Sequence, residues 1–212
     1  MTNTAIKERG IVIPTEMVPG VLDGSVTTTR RTNGLKKFNE SPDDWVAHHI
    51  DGAEWEFKNI KTLADYHIKC PYGQIGDGLW MREAYSRAFR RTDIQNGCIY
   101  KADSRELLNP VYGGHTWSQY DKCWRSPRFM PRWASRKDMV ITELRVERLW
   151  DITEEDCKAE GVWELCSPYL MRAEFQELWD SINAKRGYPC EVNWWVWVIG
   201  WTPTAPKSTQ NG

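Results

Sequence analysis

The chain has 212 residues, 41% hydrophobic and 27% charged, a balance that excludes a disordered chain and fits one domain with no visible linker. A formal net charge of −1 excludes a globally basic nucleic-acid binder. The charges are nonetheless segregated. Residues 30–37 carry Arg30, Arg31, Lys36 and Lys37 with no acid, and residues 121–137 carry six cations against Asp121. Residues 151–164 carry six acids against Lys158. This pattern fits either a basic and an acidic face or ordinary solvated surfaces. The six cysteines form no CxxC pair and residues 1–20 hold no signal-like apolar core, so free thiols in a reducing, cytoplasmic setting are expected. The longest apolar run, Trp194–Ile199, is too short to span a bilayer, and no membrane partner is expected. Thirteen tryptophans point to a small core filled by large rings, or to a pocket that stacks bases.

In chain order, residues 10–13 read as a strand, and Pro14-Thr15 opens a short helix through Val18 that Pro19 and Gly20 interrupt. Residues 26–31 are β-branched and extended. Residues 32–52 lack periodicity and read as an irregular surface segment with a short helix near Trp45–His49. Strand-like runs follow at 55–57 and 66–68. A turn cluster over 70–78 leads into a strand at 79–83. Residues 84–97 read as a loop, 98–102 as a strand, and 103–121 as a second excursion. Residues 138–150 form the longest strand, with a bulge expected at Arg148. Thr153 and Asp156 make a capping-box start to a two-turn helix ending near Gly161. Ser167-Pro168 opens a second helix with Met171, Phe175, Leu178 and Ile182 on one stripe. Residues 193–201 form a last strand, apolar on both faces, and 202–212 a disordered polar tail. No internal repeat is visible. Strands, then helices, then a buried strand indicate an α+β protein with a small, mainly antiparallel barrel and flanking helices.

Several segments resemble the ASCH branch of the PUA-like superfamily. Gly24-Ser-Val-Thr-Thr-Thr-Arg-Arg31 resembles the glycine-basic-Lys-Thr-x-Thr-Arg-Arg segment of ASCH proteins. Gly76-Asp-Gly-Leu-Trp-Met-Arg-Glu83 resembles their Gly-Asp-x-Leu-Trp-Val-Arg-Glu strand. Met130–Arg136, Asp151–Gly161, Phe175–Asn183 and Trp195–Ile199 fit in the same order, as in the larger ASCH-like proteins of phages and prophages. The resemblance implies a single PUA-like β-barrel domain over residues 1–201, with long insertions at about 32–69 and 84–121. It also implies a cleft between barrel and helices, and a phage or prophage protein acting in the host cytoplasm. It further implies RNA binding, or, as in one branch, hydrolysis of an acetylated nucleoside by a Lys, a Thr and a Glu. Those positions fall on Val26, Thr29 and Glu160, so the lysine is replaced.

The residues themselves leave alternatives open. Arg30 and Arg31 offer planar forks of donors suited to phosphate or a base edge, or they pair with nearby acids at a strand end. Lys36 or Lys37 could reach the same site from the next loop. Glu160 is either a buried base or one of several exposed carboxylates. Trp124–Arg136, with Arg132, Trp133 and Arg136, mixes rings and guanidiniums, which suits phosphate contact with base stacking or a purely structural loop. Arg82 and Glu83 suit structural pairing across the barrel, and Arg82 could also contact nucleic acid. His67, Cys70, Cys98, His115 and Cys123 lack zinc-motif spacing, so neither metal nor cofactor is expected. The leading expectation is a binder of nucleic acid, RNA favoured, or of a nucleotide-like ligand, with a modified base as one candidate. The alternatives are a hydrolase on a modified nucleoside or a ribonuclease, using Thr29 and Glu160, and an accessory protein that binds a host protein through its loops.

Overall fold

The final strand, β10 (Trp195–Pro203), has no polar face through its first seven residues. Alternation sends Trp195, Trp197, Ile199 and Trp201 one way and Val196 and Val198 the other, and all six are buried. Such a strand must be covered on both sides. The computed structural model describes residues 6–87, 98–103, 124–162 and 168–204.

β10 lies inside a five-stranded sheet ordered β1 (Glu8–Val12), β6 (Gly78–Arg82), β9 (Asp138–Arg148), β10, β2 (Thr28–Arg31). β1 and β6 pair in parallel; the other ladders among the described residues are antiparallel. A second sheet, β3 (Trp45–Asp51), β4 (Glu54–Asn59) and β5 (Asp65–Lys69), covers the tryptophan face. There Trp55 meets Trp197 edge-on at 6.1 Å and Phe57 meets Trp195 at 5.3 Å. On the valine face, Cys157 of α3 (Glu154–Ala159) and Met171, Phe175 and Trp179 of α4 (Pro168–Asn183) pack on Val196 and Val198. Two of the buried indoles in this interface keep their N–H groups bonded, Trp195 to the Pro42 carbonyl at 2.9 Å and Trp197 to that of Asn33 at 3.0 Å, whereas Trp55 Nε1 has no partner among the described residues. Cys70, Cys98, Cys157 and Cys190 are buried thiols in no disulfide.

The mixed α+β class and the largely antiparallel pairing are as read from the sequence. The ladders do not close a ring, since β1 and β2 are the edges of the five-stranded sheet. The two edges nonetheless approach: Arg31 Nη2, on β2, donates to the Val12 carbonyl of β1 at 2.7 Å.

Four local expectations need correction. The helix expected over 15–18 is α1 (Val18–Asp23), because Pro19 sits in its first turn, where a missing N–H is harmless. Gly24, at φ 87°, ends it. The helix expected near Trp45–His49 is strand β3; most of its side chains are solvated, so no apolar alternation marks it, and ladder pairing to β4 decides. The bulge expected at Arg148 is at Thr142, skipped between the Gly200–Glu143 and Trp201–Ile141 pairs. Within the expected loop 84–97, Tyr85–Arg87 (β7) pairs with Cys98–Tyr100 (β8). The rest of that loop, residues 104–121 of the second excursion, Ser167 and the tail from 205 lie outside the described residues.

Beyond the reach of β2, one side chain continues its edge. In the four-residue helix α2 (Lys36–Asn39), Asn39 Nδ2 donates to the Trp195 carbonyl at 3.0 Å, and Asn39 Oδ1 accepts from the Trp195 N–H at 2.7 Å. The buried amide thus stands in for a strand partner. Asn39→Ala strands both backbone groups and is expected to lower unfolding free energy by roughly 2–4 kcal/mol in urea denaturation.

Candidate functional site

Cross-strand neighbours share a face. β2 pairs Thr28 with Gly200, Thr29 with Ile199, Arg30 with Val198 and Arg31 with Trp197. Thr29 and Arg31 therefore lie on the tryptophan face, and Thr28 and Arg30 on the helix-covered face. β9 adds Glu143, Arg145 and Glu147 to that second face, opposite Gly200, Val198 and Val196.

The Arg30 side chain has no exposure to water. A buried guanidinium needs counter-charge and hydrogen bonds, and three carboxylates supply them. Arg30 donates to Glu147 (from Nε at 3.1 Å), to Asp156 at 3.0 Å and to Glu160. Arg145 donates to Glu147 and Asp156 at 2.7 Å and to Glu143. The Phe175 ring covers Arg30 at 5.7 Å. Burial opposes the Arg30 charge, but Glu160, Glu147 and Asp156 outweigh it and hold the guanidinium above its ordinary value. Asp156 is held below the usual aspartate range, with Arg145 and Arg30 overcoming its partial burial. For Glu160 burial wins over the opposing pull of Arg30, and its carboxyl is pushed up.

Local structure explains how Glu160 gets there. Thr153 and Asp156 form the capping box of α3, and Glu160 is its C-cap. The Thr27 N–H donates to the Ala159 carbonyl at 2.9 Å and ties this helix end to the chain entering β2. Gly161, at φ +90°, turns the chain away. Val26 is wedged at the same junction: a Cβ on Gly20 would lie 2.4 Å from Val26 Cγ2, and one on Gly161 2.8 Å.

Two cavities meet at Glu160. A pocket of about 20 Å³, lined by Thr29, Arg30, Arg31, Glu160, Phe175 and Trp179, runs over the edge of β2. That is room for one water. Beside it opens a groove of about 560 Å³, whose lining includes Glu16, Asp23, Ser25, Val26, Glu160 and Leu178 and contains no Lys or Arg. Polar atoms are left over in the smaller pocket. Arg31 Nε is buried with no hydrogen-bond partner. Among the described residues, no hydrogen bond takes up the Thr29 hydroxyl, and Arg30 engages only Oε1 of Glu160. A donor, a hydroxyl and a carboxyl group thus line the small pocket, and Glu160 lines the larger groove beside it as well.

Val26, Thr29, Arg30, Arg31 and Glu160 therefore come together, although Arg30 is consumed by carboxylates and presents nothing to a phosphate. Its environment is that of the acid-paired reading. Lys36 is exposed and lines neither cavity, and Lys37 sits 3.2 Å over the Tyr66 ring on the second sheet. Arg82 stacks on Trp80 and donates to the Arg128 carbonyl at 3.0 Å. Arg132 is paired with Glu8 and Asp138. Arg136 forms a bidentate pair with buried Glu83, binds Asp103 and lies over Tyr100 at 3.9 Å. Trp133 is solvent-exposed. Sequence reasoning missed Glu143, Arg145 and Glu147; their spacing of two on a strand was the available signal. It also missed Glu16 and Asp23, which have no such signature.

Among the described residues, no group of three or more His, Cys, Asp or Glu side chains could hold a metal ion, and no helix is long and apolar enough to cross a membrane. No family model, curated protein or solved structure matches the chain.

Arg30→Met removes the cation and keeps the bulk. The stranded Glu160 carboxyl then has a folded-state pKa above its unfolded one, so the variant gains relative stability as pH falls and loses it as pH rises, while Glu147 and Asp156 keep Arg145. It is expected to cost about 3–5 kcal/mol at pH 7 and clearly less near pH 4, measured by urea denaturation at both.

Proposed function

We propose that this chain is a PUA-like, ASCH-type protein whose groove beside β2 binds a nucleoside or an extruded base of nucleic acid, RNA favoured. The observation that carries this reading is a small pocket lined by Arg31, whose Nε has no hydrogen-bond partner, by Thr29 and by Glu160, set beside a 560 Å³ groove that Glu160 and Leu178 also line. That volume falls within the range of about 300–1,000 Å³ usual for small-ligand sites. Glu16, Asp23 and Glu160 line the groove without a cation, which disfavours phosphate there and favours a ligand presenting N–H donors, such as a nucleobase edge. The barrel reading is supported by the near approach of the two sheet edges, bridged by Arg31.

A second reading, hydrolysis of a modified nucleoside, is favoured by Glu160: a carboxyl raised by burial, lining one pocket with Thr29, is placed for general acid–base work. Val26 stands where the resemblance wants a lysine, and an isopropyl group supplies no proton and holds no carbonyl oxygen. Binding without turnover is therefore the first reading. Cleavage of RNA is third, since the groove lining offers no cation to a phosphate.

Titration calorimetry with a panel of free nucleosides, including acetylated cytidine, tests this. Saturable binding by the intact chain is expected. Leu178→Trp, at a half-buried position lining both cavities, should weaken it about tenfold or more with little change in melting temperature. Absence of binding across the panel would defeat the proposal, and release of acetate would move it to the second reading.

A further inference from the structure

The groove leaves open where a strand's phosphates would go. The basic stretch 125–137 contains Arg125, Arg128, Arg132, Arg136 and Lys137 and no acid. Glu8 and Asp138 take up Arg132, while Glu83 and Asp103 take up Arg136. Arg125 and Arg128 are exposed, and among the described residues neither has an ion-pair partner.

The rings beside them are exposed as well. Phe129 is 75% exposed and Trp133 53%. They occupy equivalent places in two successive units, Pro127-Arg-Phe-Met130 and Pro131-Arg-Trp-Ala134, each containing one 3₁₀ turn. In both units the residue after the ring is buried, Met130 at 1% and Ala134 at 0% exposure. The backbone between them is pinned. Tyr85 Oη donates to the Phe129 carbonyl at 2.8 Å, Arg82 Nη2 to that of Arg128 at 3.0 Å and Tyr100 Oη to that of Ala134 at 2.8 Å. The rings are thus held outward by a fixed loop, at a cost in exposed apolar area that the fold does not recover.

We infer that residues 125–133 form a platform for single-stranded nucleic acid, with Phe129 and Trp133 as stacking faces and Arg125 and Arg128 as phosphate contacts. Two flat rings interleaved with guanidiniums that have no ion-pair partner among the described residues match a strand's alternation of base and phosphate. An acidic peptide would use the arginines but has no comparable use for two separate ring faces. The platform stands on its own observations and needs no groove; downstream of it, Lys137 Nζ donates at 2.8 Å to the carbonyl of Leu22 in α1.

Fluorescence anisotropy with a labelled oligouridylate of roughly 12 nucleotides and the full chain tests the platform. Phe129→Ala/Trp133→Ala is expected to weaken binding about tenfold or more, while Phe129→Tyr/Trp133→Phe retains it. Because these side chains are exposed, melting temperatures should be unchanged, which separates lost binding from lost folding. Arg125→Gln/Arg128→Gln should lower the slope of log K against log salt by about 1.4, at roughly 0.7 per phosphate contact on a single strand. No binding by the parent chain near 50 mM salt, full binding by the double alanine variant, or preference for polyglutamate over the oligonucleotide would each overturn it. Free nucleosides report on the groove and the oligonucleotide variants on the loop, so the two proposals fail separately.

Discussion

Arg30 carries its charge where water does not reach, and much of the architecture around β2 follows from that. A cation in this position must be enclosed by acids, and those acids come from β9 and from both ends of α3. The pairing therefore fixes the helix against the sheet. It also fixes Glu160, which lines both cavities, and it shapes the pocket roof through Phe175. Burial of ion pairs adds little to net stability compared with apolar packing. What it provides here is a unique register: a slip of β2 by one residue would turn Arg30 toward the tryptophans and away from Glu147, Asp156 and Glu160.

The second constraint is β10. Its doubly apolar sequence requires two covers of different kind, a ring-filled interface with a second sheet and a helical layer above the valines. The candidate groove lies at the margin where this central sheet stops, at β2. There both faces of one strand become accessible from a single side, which is how Thr29 and Arg31 can share a pocket with Arg30 despite the alternation that separates them.

How much of this was legible depended on the range of the interaction. The capping box of α3, the stripe of α4 and the sandwiched β10 are local patterns with strong signatures, and all three are present. β3 was invisible because its residues are mostly solvated and its pairing with β4 is a backbone property. Thr29 and Glu160 were placed together only through a family resemblance; no residue near either one announces a partner more than a hundred positions away. The partners of Arg30 were hidden in the same way. Its two neighbouring lysines looked like fellow members of a basic patch, whereas the fold turns Arg30 inward and leaves Lys36 in solvent.

Val26 sits between the backbones of Gly20 and Gly161 with no slack on either side. The three positions are consequently bound into one steric unit, and their substitutions cannot be independent. Enlarging residue 26 acts on the spacing between α1 and the turn after α3, and therefore on the aperture of the groove those segments border. Shrinking it would loosen both glycines at once. Evolutionary or engineered change in the groove's calibre should thus proceed through paired, non-additive replacements at these sites, with the width of one side chain acting as a spacer between a helix and a turn.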